Sequence, residues 1–388
     1  MSNGTVLLVG TTKGLFLLTS HPDREEWTTS GPHCDLWTIN HAVGDAETGQ
    51  IWAGGGNPWS GAGVWAIDPN TDDWHLTKLA SGEADAWARN NPDEAAKFGV
   101  TPAPDAPFDG EIDAIWSVAH AHGTLYRGSK PANLFESVDG GKSWQRFDGL
   151  AHMPGRDTWQ PGGAGLTLHT IVPHPTDAEL LWIGISAAGV FATEDGGQTW
   201  EARMRRDNAS NNGPTDHPAS GSDTEIGGCV HNMQIREGNG ETILYQQNHH
   251  GVFRSFDGAR SWQNITDGLP STFGFPVAVN PHDAQMIWTF PLNGDSKGRY
   301  PEDAAAAVWR STDGGSTWEA QRNGLPQDNC YFTVLRQAMA VDKHKTPGLY
   351  FGTNSGSVFA SLDTGNSWSE IARHLPTVLC VETMTRAA

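Results

Sequence analysis

Positive charge is scarce in this sequence. Against 45 aspartates and glutamates stand only 25 lysines and arginines, a formal net charge of −20 at pH 7. Nucleic acid and anionic membrane surfaces both demand a basic face, so neither is expected as a partner. The same balance leaves room for a small ligand, and slightly favours a cation or a metal ion. Cysteine is rare too: Cys34, Cys229, Cys330 and Cys380 lie far apart with no CxxC spacing, so no disulfide framework is indicated. No apolar run approaches the length of a bilayer span. The N-terminus has no basic n-region or apolar h-region and passes straight into the strand-like run Val6-Leu-Leu-Val9. A cytoplasmic protein is the expectation.

Familiar catalytic signatures are missing as well. There is no His-Glu-x-x-His pair for a metalloprotease and no Gly-x-Ser-x-Gly elbow for a serine hydrolase. Gly140-Gly-Lys142-Ser143 imitates the end of a phosphate-binding loop, but Glu136 stands where that loop requires its first glycine.

Tryptophan and glycine, by contrast, are plentiful, at 17 and 46 residues, and short strand-type runs recur throughout. That suits an all-β chain of short strands and tight turns. One string organises it. Ser137-Val-Asp139-Gly-Gly141-Lys-Ser143-Trp144 returns as Thr193–Trp200 and Ser311–Trp318, and in worn form as Ser255–Trp262 and Ser361–Trp368. Each copy follows an apolar pair such as Leu134-Phe135 or Val190-Phe191. Asp before Gly is a turn signal, because the carboxylate accepts from backbone N–H groups ahead of it and Gly supplies positive φ. The unit therefore reads strand, Asp turn, Trp at the start of the next strand. A recurrence at roughly 50 to 60 residues means a repeat architecture.

These five copies resemble the Asp-box, or BNR, repeat of sialidases, sortilin-type receptors and photosystem assembly factors. The resemblance implies a β-propeller whose boxes lie on turns between the outer two strands of each blade, away from the ligand face. Asp139, Asp195, Asp257, Asp313 and Asp363 are then structural. Two further units keep the strand, an Asp turn and the Trp, at Gly14–Trp27 and Gly63–Trp74, so the closing tryptophans Trp27, Trp74, Trp144, Trp200, Trp262, Trp318 and Trp368 count seven. Seven is within the usual range for four-stranded blades, with six or eight as the neighbouring alternatives. The first unit lacks an inner strand, and Thr377–Met384 follows the last box without a box of its own. The expectation is one seven-bladed, all-β domain over residues 1–388, its ring closed by the C-terminal strand pairing with the N-terminal blade. Closure removes exposed sheet edges.

If the boxes mark one face, the long insertions belong to the other. These are His75–Glu111, Gln145–Gly165, Glu201–Gly227, Gly54–Gly61 and Pro291–Ala305. Long loops on a rigid scaffold favour a binding site there. Superposing the inner strands places Ile115, His169, His231 and Phe275 at one depth in the channel, with His41 and Arg336 near them. His169 and His231, with His250 on a neighbouring turn, could share a divalent metal ion; they equally suit neutral, hydrogen-bonded channel liners. Asp113, Glu225 and Cys229 lie near the same mouth. Asp113 and Glu225 join His169 and His231 as catalytic candidates. His41, Trp59, Trp116, Arg156, Trp159, Tyr300 and Arg336 are candidates to hold a small-molecule or carbohydrate ligand.

The resemblance also raises glycoside hydrolysis, which needs two carboxylates about the scissile bond. Asp105, Asp109, Glu111, Asp113 and the pair Asp223 and Glu225 are the supply. Sialidases further carry an arginine triad and an Arg-Ile-Pro motif. Arg-Ile-Pro is absent here, and the only arginines up to the third blade are Arg24, Arg89 and Arg127. Sialidase chemistry is not expected. Two readings stay open: a hydrolase or lyase acting on a small molecule or glycan at the channel mouth, or a non-catalytic propeller that binds a protein or glycan. Oligomeric state is not encoded in any motif.

Overall fold

The computed structural model describes residues 4–385 except 164, 208–219, 221, 223 and 239. They form seven four-stranded antiparallel sheets. In blade 5 the strands are Val230–Gly238, Glu241–Asn248, Gly251–Ser255 and Gln263–Asn264, in that order across the sheet. Blades 2, 3, 4, 6 and 7 repeat the same up-and-down order, and the first strands of successive blades pack against one another around the axis. Blade 1 differs in its ends: Val378–Thr385 supplies the inner strand and runs antiparallel to Thr5–Thr11. The seven-bladed ring closes as the sequence implied.

The repeated turn works by local hydrogen bonding. In blade 3 the Ser137 hydroxyl donates to Asp139 Oδ1 at 2.7 Å and accepts from the Gly141 N–H at 2.9 Å. The Ser143 N–H donates to Asp139 Oδ1 at 2.9 Å, and its hydroxyl donates to Oδ2 at 2.6 Å. The same bonds recur about Asp195, Asp257, Asp313 and Asp363. One carboxylate thus holds an eight-residue hairpin turn in place, which is why the five aspartates serve the scaffold.

Neighbouring blades are then fastened through these turns. Trp52, Trp182 and Trp288, on second strands, donate their indole N–H to Gly140, Gly258 and Thr364 of the next blade's turn at 2.9–3.1 Å. Trp262 and Trp288 are fully buried; losing such a side chain typically costs about 3–5 kcal/mol. Arg127 is buried among Phe108, Phe135 and Trp144, 3.8 Å from the Phe135 ring centroid. It serves the interior and faces no ligand space. Arg24, in the worn first turn, pairs with the buried Asp342 of blade 7.

Two insertions differ most in extent from the sequence reading. Trp74–Ala80 is a full fourth strand, so the long blade 2 loop begins at Ser81 and carries helices Glu83–Asn90 and Pro92–Lys97. Gly54 to Asn57 belongs to a strand, and only a tight turn joins it to Gly61–Ile67, with Asn57 Oδ1 accepting from the Trp59 and Ser60 N–H groups. β-Compatible residues flanked by glycine looked like loop because glycine is common to both. Among the described residues no helix is long and apolar enough to cross a membrane.

Candidate functional site

A small irregularity sets which side chains enter the channel. The inner strands of blades 2 to 6 each carry a β-bulge near the same point. The register breaks between Ile39 and His41, Ile115 and Ser117, Leu168 and Thr170, Val230 and Asn232, and Gly274 and Val277. A bulge leaves its extra residue out of the ladder and re-aims it. The bulged residues are Asn40, Trp116, His169, His231 and Phe275-Pro276. The sequence superposition was therefore right for His169, His231 and Phe275 and one residue off in blades 2 and 3. Ile115 is core, and His41 stays in the ladder opposite Gly54: its Nδ1 accepts from the Val118 N–H at 2.9 Å, and its Nε2 lies 3.2 Å from Glu382. A bulge leaves no composition signal, so sequence periodicity could not place it.

Cross-channel bonds divide the axis. Asn232 Nδ2 donates to Gln337 Oε1 at 3.1 Å, and Gln337 Nε2 donates to the His169 carbonyl, tying blades 4, 5 and 7 together. On the side of the repeated turns remains a cavity of about 220 Å³ lined by His41, His120, Gln337 and Glu382. On the other side is a cavity of about 390 Å³. Its walls come from second-to-third-strand turns and from segments leading into inner strands, the end of each sheet opposite the repeated turns. This is the face on which the insertions were expected.

The larger cavity collects Cys229, His231, His249, Asp295, Arg299 and Arg336, with Phe273 and Phe275 as its apolar wall. His231 Nδ1 lies 2.6 Å from the Gly274 carbonyl, which can only accept, so that nitrogen carries the proton. Its Nε2 is left with a lone pair, 3.6 Å from Cys229 Sγ. Burial holds the His231 imidazole well below its usual range, with the Arg336 charge adding to the effect, so the ring is neutral at pH 7. His249 Nε2 is 3.3 Å from Asp295 Oδ2. The turn that presents His249 needs glycine at position 251, where φ is 152° and a Cβ would sit 2.3 Å from Thr266 Oγ1. The Arg336 guanidinium lies 4.4 Å from the Phe275 centroid, and Arg299 lies 6.0 Å from the same ring. Burial pushes Arg336 down to about 10, so it remains a cation at neutral pH. Two guanidiniums about one ring, with Arg336 Nε buried and lacking any hydrogen-bond partner, call for an anion.

Of the candidates read from the sequence, His231, Cys229 and Arg336 meet here. His250 lies outside; its neighbour His249 lines the cavity instead. His169 is buried beside Trp116, ring centroids 5.9 Å apart, with neither ring nitrogen hydrogen-bonded. Burial holds it well below its usual range. Asp113 and Glu225 are exposed, and Asp223 lies outside the described residues. Asp109 pins Ser81 and Ala106 within its own loop, while Glu111 pairs with Arg146 and Asp105 with Arg89. Arg156 bonds the Ala132 carbonyl and Asn133 and stacks on Trp159, whose ring packs on Phe191. Tyr300 packs on Tyr331, and Trp59 is 60 % exposed. Asp295 and Arg299 were missed, although both sit in the Pro291–Ala305 insertion. The pointer was that insertion's place on the same kind of turn as His249, one blade on.

No family model matches the sequence. Over 288 residues the chain is 24 % identical to an oligoxyloglucan-reducing end-specific xyloglucanase from Emericella nidulans, matching 66 % of this chain and 33 % of that protein. The chain therefore spans about a third of the length of this curated relative. A GH74 xyloglucanase from Xanthomonas campestris superposes with a TM-score of 0.61 at 16 % identity, covering 96 % of this chain and 53 % of the other. YCF48 from Cyanidioschyzon merolae gives 0.50 at 12 % identity, covering 86 % and 84 %. At these identities the likeness to solved structures establishes a shared propeller fold.

Proposed function

We propose that the chain is a hydrolase acting on a small anionic sugar or a related polyhydroxylated molecule, held in the cavity opposite the repeated turns. One observation carries the reading: two imidazoles, a carboxylate and two guanidiniums converge on one cavity of about 390 Å³ with an aromatic wall. Arg299 and Arg336 suit a carboxylate or phosphate on the substrate. Phe273 and Phe275 offer a face to a sugar ring. The His249–Asp295 pair and the neutral His231 are placed to move a proton or activate a water. The resemblance to glycan-hydrolysing propellers supports the substrate class. The usual two-carboxylate geometry does not carry the reading, since among the described residues Asp295 is the one acid lining the cavity.

The test is hydrolysis of a panel of neutral oligosaccharides, uronic-acid glycosides and sugar lactones by the wild type, Arg336→Met and His249→Gln. The expected result is turnover confined to anionic members. Turnover should fall at least about 100-fold in His249→Gln, the range for loss of an acid–base group. Arg336→Met should mainly raise KM. Binding of a panel member without turnover in the wild type would replace this reading with that of a non-catalytic propeller, and turnover unchanged in both variants would remove the chemistry from this cavity.

A further inference from the structure

Cys229, His231 and His249 each offer a donor atom, and the three donors lie within 4.8 Å of one another. We infer that they form a binding site for a zinc-type divalent transition metal, with a fourth coordination position open to the cavity. The inference concerns the cavity assigned above but does not need the hydrolase reading, because metal binding is measured without substrate.

Three features of the geometry support it. First, tetrahedral zinc with Zn–S near 2.3 Å and Zn–N near 2.05 Å separates a thiolate from an imidazole nitrogen by about 3.6 Å. Cys229 Sγ and His231 Nε2 stand 3.6 Å apart. Second, each imidazole is held from behind. The Gly274 carbonyl fixes the His231 tautomer so that Nε2 faces the thiol, and Asp295 Oδ2 lies 3.3 Å from His249 Nε2. Outer partners of this kind orient metal-binding histidines. Third, Phe273 packs on both rings, at centroid distances of 5.5 Å from His231 and 4.8 Å from His249, giving the apolar collar that strengthens such bonds. A thiol–imidazole hydrogen bond alone would account for two of the donors. It would not need a second imidazole braced by its own carboxylate.

Three protein donors with one vacant position is the catalytic type of zinc site, whereas a structural site is closed by four. Arg299 and Arg336 line the same cavity. A cation flanked by two guanidiniums is electrostatically tolerable when an anion bridges them, so metal and anionic ligand should bind with positive coupling.

The experiment uses the full chain without an affinity tag, stripped with chelator and titrated with Co²⁺ and then Zn²⁺. Expected are one equivalent per chain, a thiolate-to-cobalt charge-transfer band in the near ultraviolet, and displacement of cobalt by zinc. Cys229→Ser should abolish the band, and His249→Gln should weaken binding at least about 10-fold; Asp295→Asn should weaken it within the 10- to 100-fold range seen for outer partners. Cys330→Ser, remote in sequence and in another loop, should leave the band unchanged. If Cys229→Ser does not fold, the His249→Gln and Asp295→Asn titrations decide the matter. No bound metal in the wild type, or affinity unchanged in the variants, overturns the site. Turnover by metal-free protein would leave the hydrolase reading standing without it, and metal binding with no turnover would do the reverse.

Discussion

Ring closure offers a sharp perturbation. Arg24, on the last turn of blade 1, sends Nη1 to Asp342 Oδ2 at 2.8 Å and Nη2 to the Thr346 carbonyl at 3.1 Å. Asp342 belongs to blade 7, and its side chain is fully buried. Its Oδ2 also accepts from the Tyr350 hydroxyl at 2.8 Å and from Thr5 Oγ1 at 3.3 Å. Its Oδ1 accepts from the N–H groups of His344 and Gly348 at 3.1 and 2.9 Å. Removing one partner of a buried ion pair typically costs 3–5 kcal/mol. The four remaining neutral donors place Arg24→Met near the lower end, about 3 kcal/mol. For a chain of this length that corresponds to a fall in Tm of about 3–6 °C. Arg24→Lys keeps the charge but loses the second contact, and should cost about 1 kcal/mol. The decisive assay is a double-mutant cycle by urea denaturation with Asp342→Asn. If the pair is coupled, Arg24→Met with Asp342→Asn is less destabilised than the sum of the single variants. A loss below 1 kcal/mol for Arg24→Met, or strict additivity, would refute the assignment of this pair as the fastener between first and last blades.

Two further outcomes test the repeated turn. Hydrogen bonds from Thr199 and Thr317 hold the Asp195 and Asp313 carboxyls down to about 2, and those from Ser143 hold Asp139 well below the usual carboxylate range. Their unfolded values are near 3.9. A depressed folded value contributes stability in full above pH ~5, lost as pH falls through ~4 toward ~2. The urea midpoint should drop over that window, and drop less in Asp195→Ala; a midpoint constant down to pH ~2.5 would contradict this linkage. Thr364 occupies the position of Gly140 and Gly196 with φ of 60°, against 74° and 67° for the two glycines. Left-handed geometry costs a side-chain-bearing residue about 1–2 kcal/mol, partly offset by glycine's entropy, so Thr364→Gly should stabilise by about 0.5–1 kcal/mol. A destabilised variant in thermal melts would show that the hydroxyl bond to the Asp363 carbonyl outweighs the strain.

The scaffold was legible because its instructions are local. An eight-residue string contains the carboxylate, both hydroxyls, the left-handed glycine and the wedge tryptophan of one turn, so five strings and two worn ones suffice to count blades. Closure was legible from an inner strand missing at one end and spare at the other. The site was legible only in part. His231 could be named because it lies on an inner strand at the depth of His169. His249 and His250 are indistinguishable as neighbours in a turn, and the φ of 152° at Gly251 helps decide which ring faces the cavity. The inter-blade tryptophans on second strands were visible as residues, but their targets belong to the next unit about 75–90 positions away. No local pattern joins them.

The ring is symmetric in its fastening and asymmetric in its chemistry, and the two facts are connected. In five blades the turn joining the outer strands is hydrogen-bonded within eight residues, so variation at the inner strand does not unfasten it. Of the blades, 4 to 6 and the segment leading into blade 7 use that freedom to line the cavity. Arg336, which lines the cavity, has its Nε buried without a hydrogen-bond partner, as do both nitrogens of His169 and Oδ1 of Asn232 nearby on the inner strands and, away from the channel, the guanidinium of Arg127 and the amide of Gln246. Each such atom costs on the order of 1–3 kcal/mol. Apolar residues at these positions would make a more stable propeller. At Arg336 an anionic ligand of the proposed kind would supply the missing partner, and the bulges at His231 and Phe275 are the means by which a repetitive scaffold can aim side chains at such a cavity.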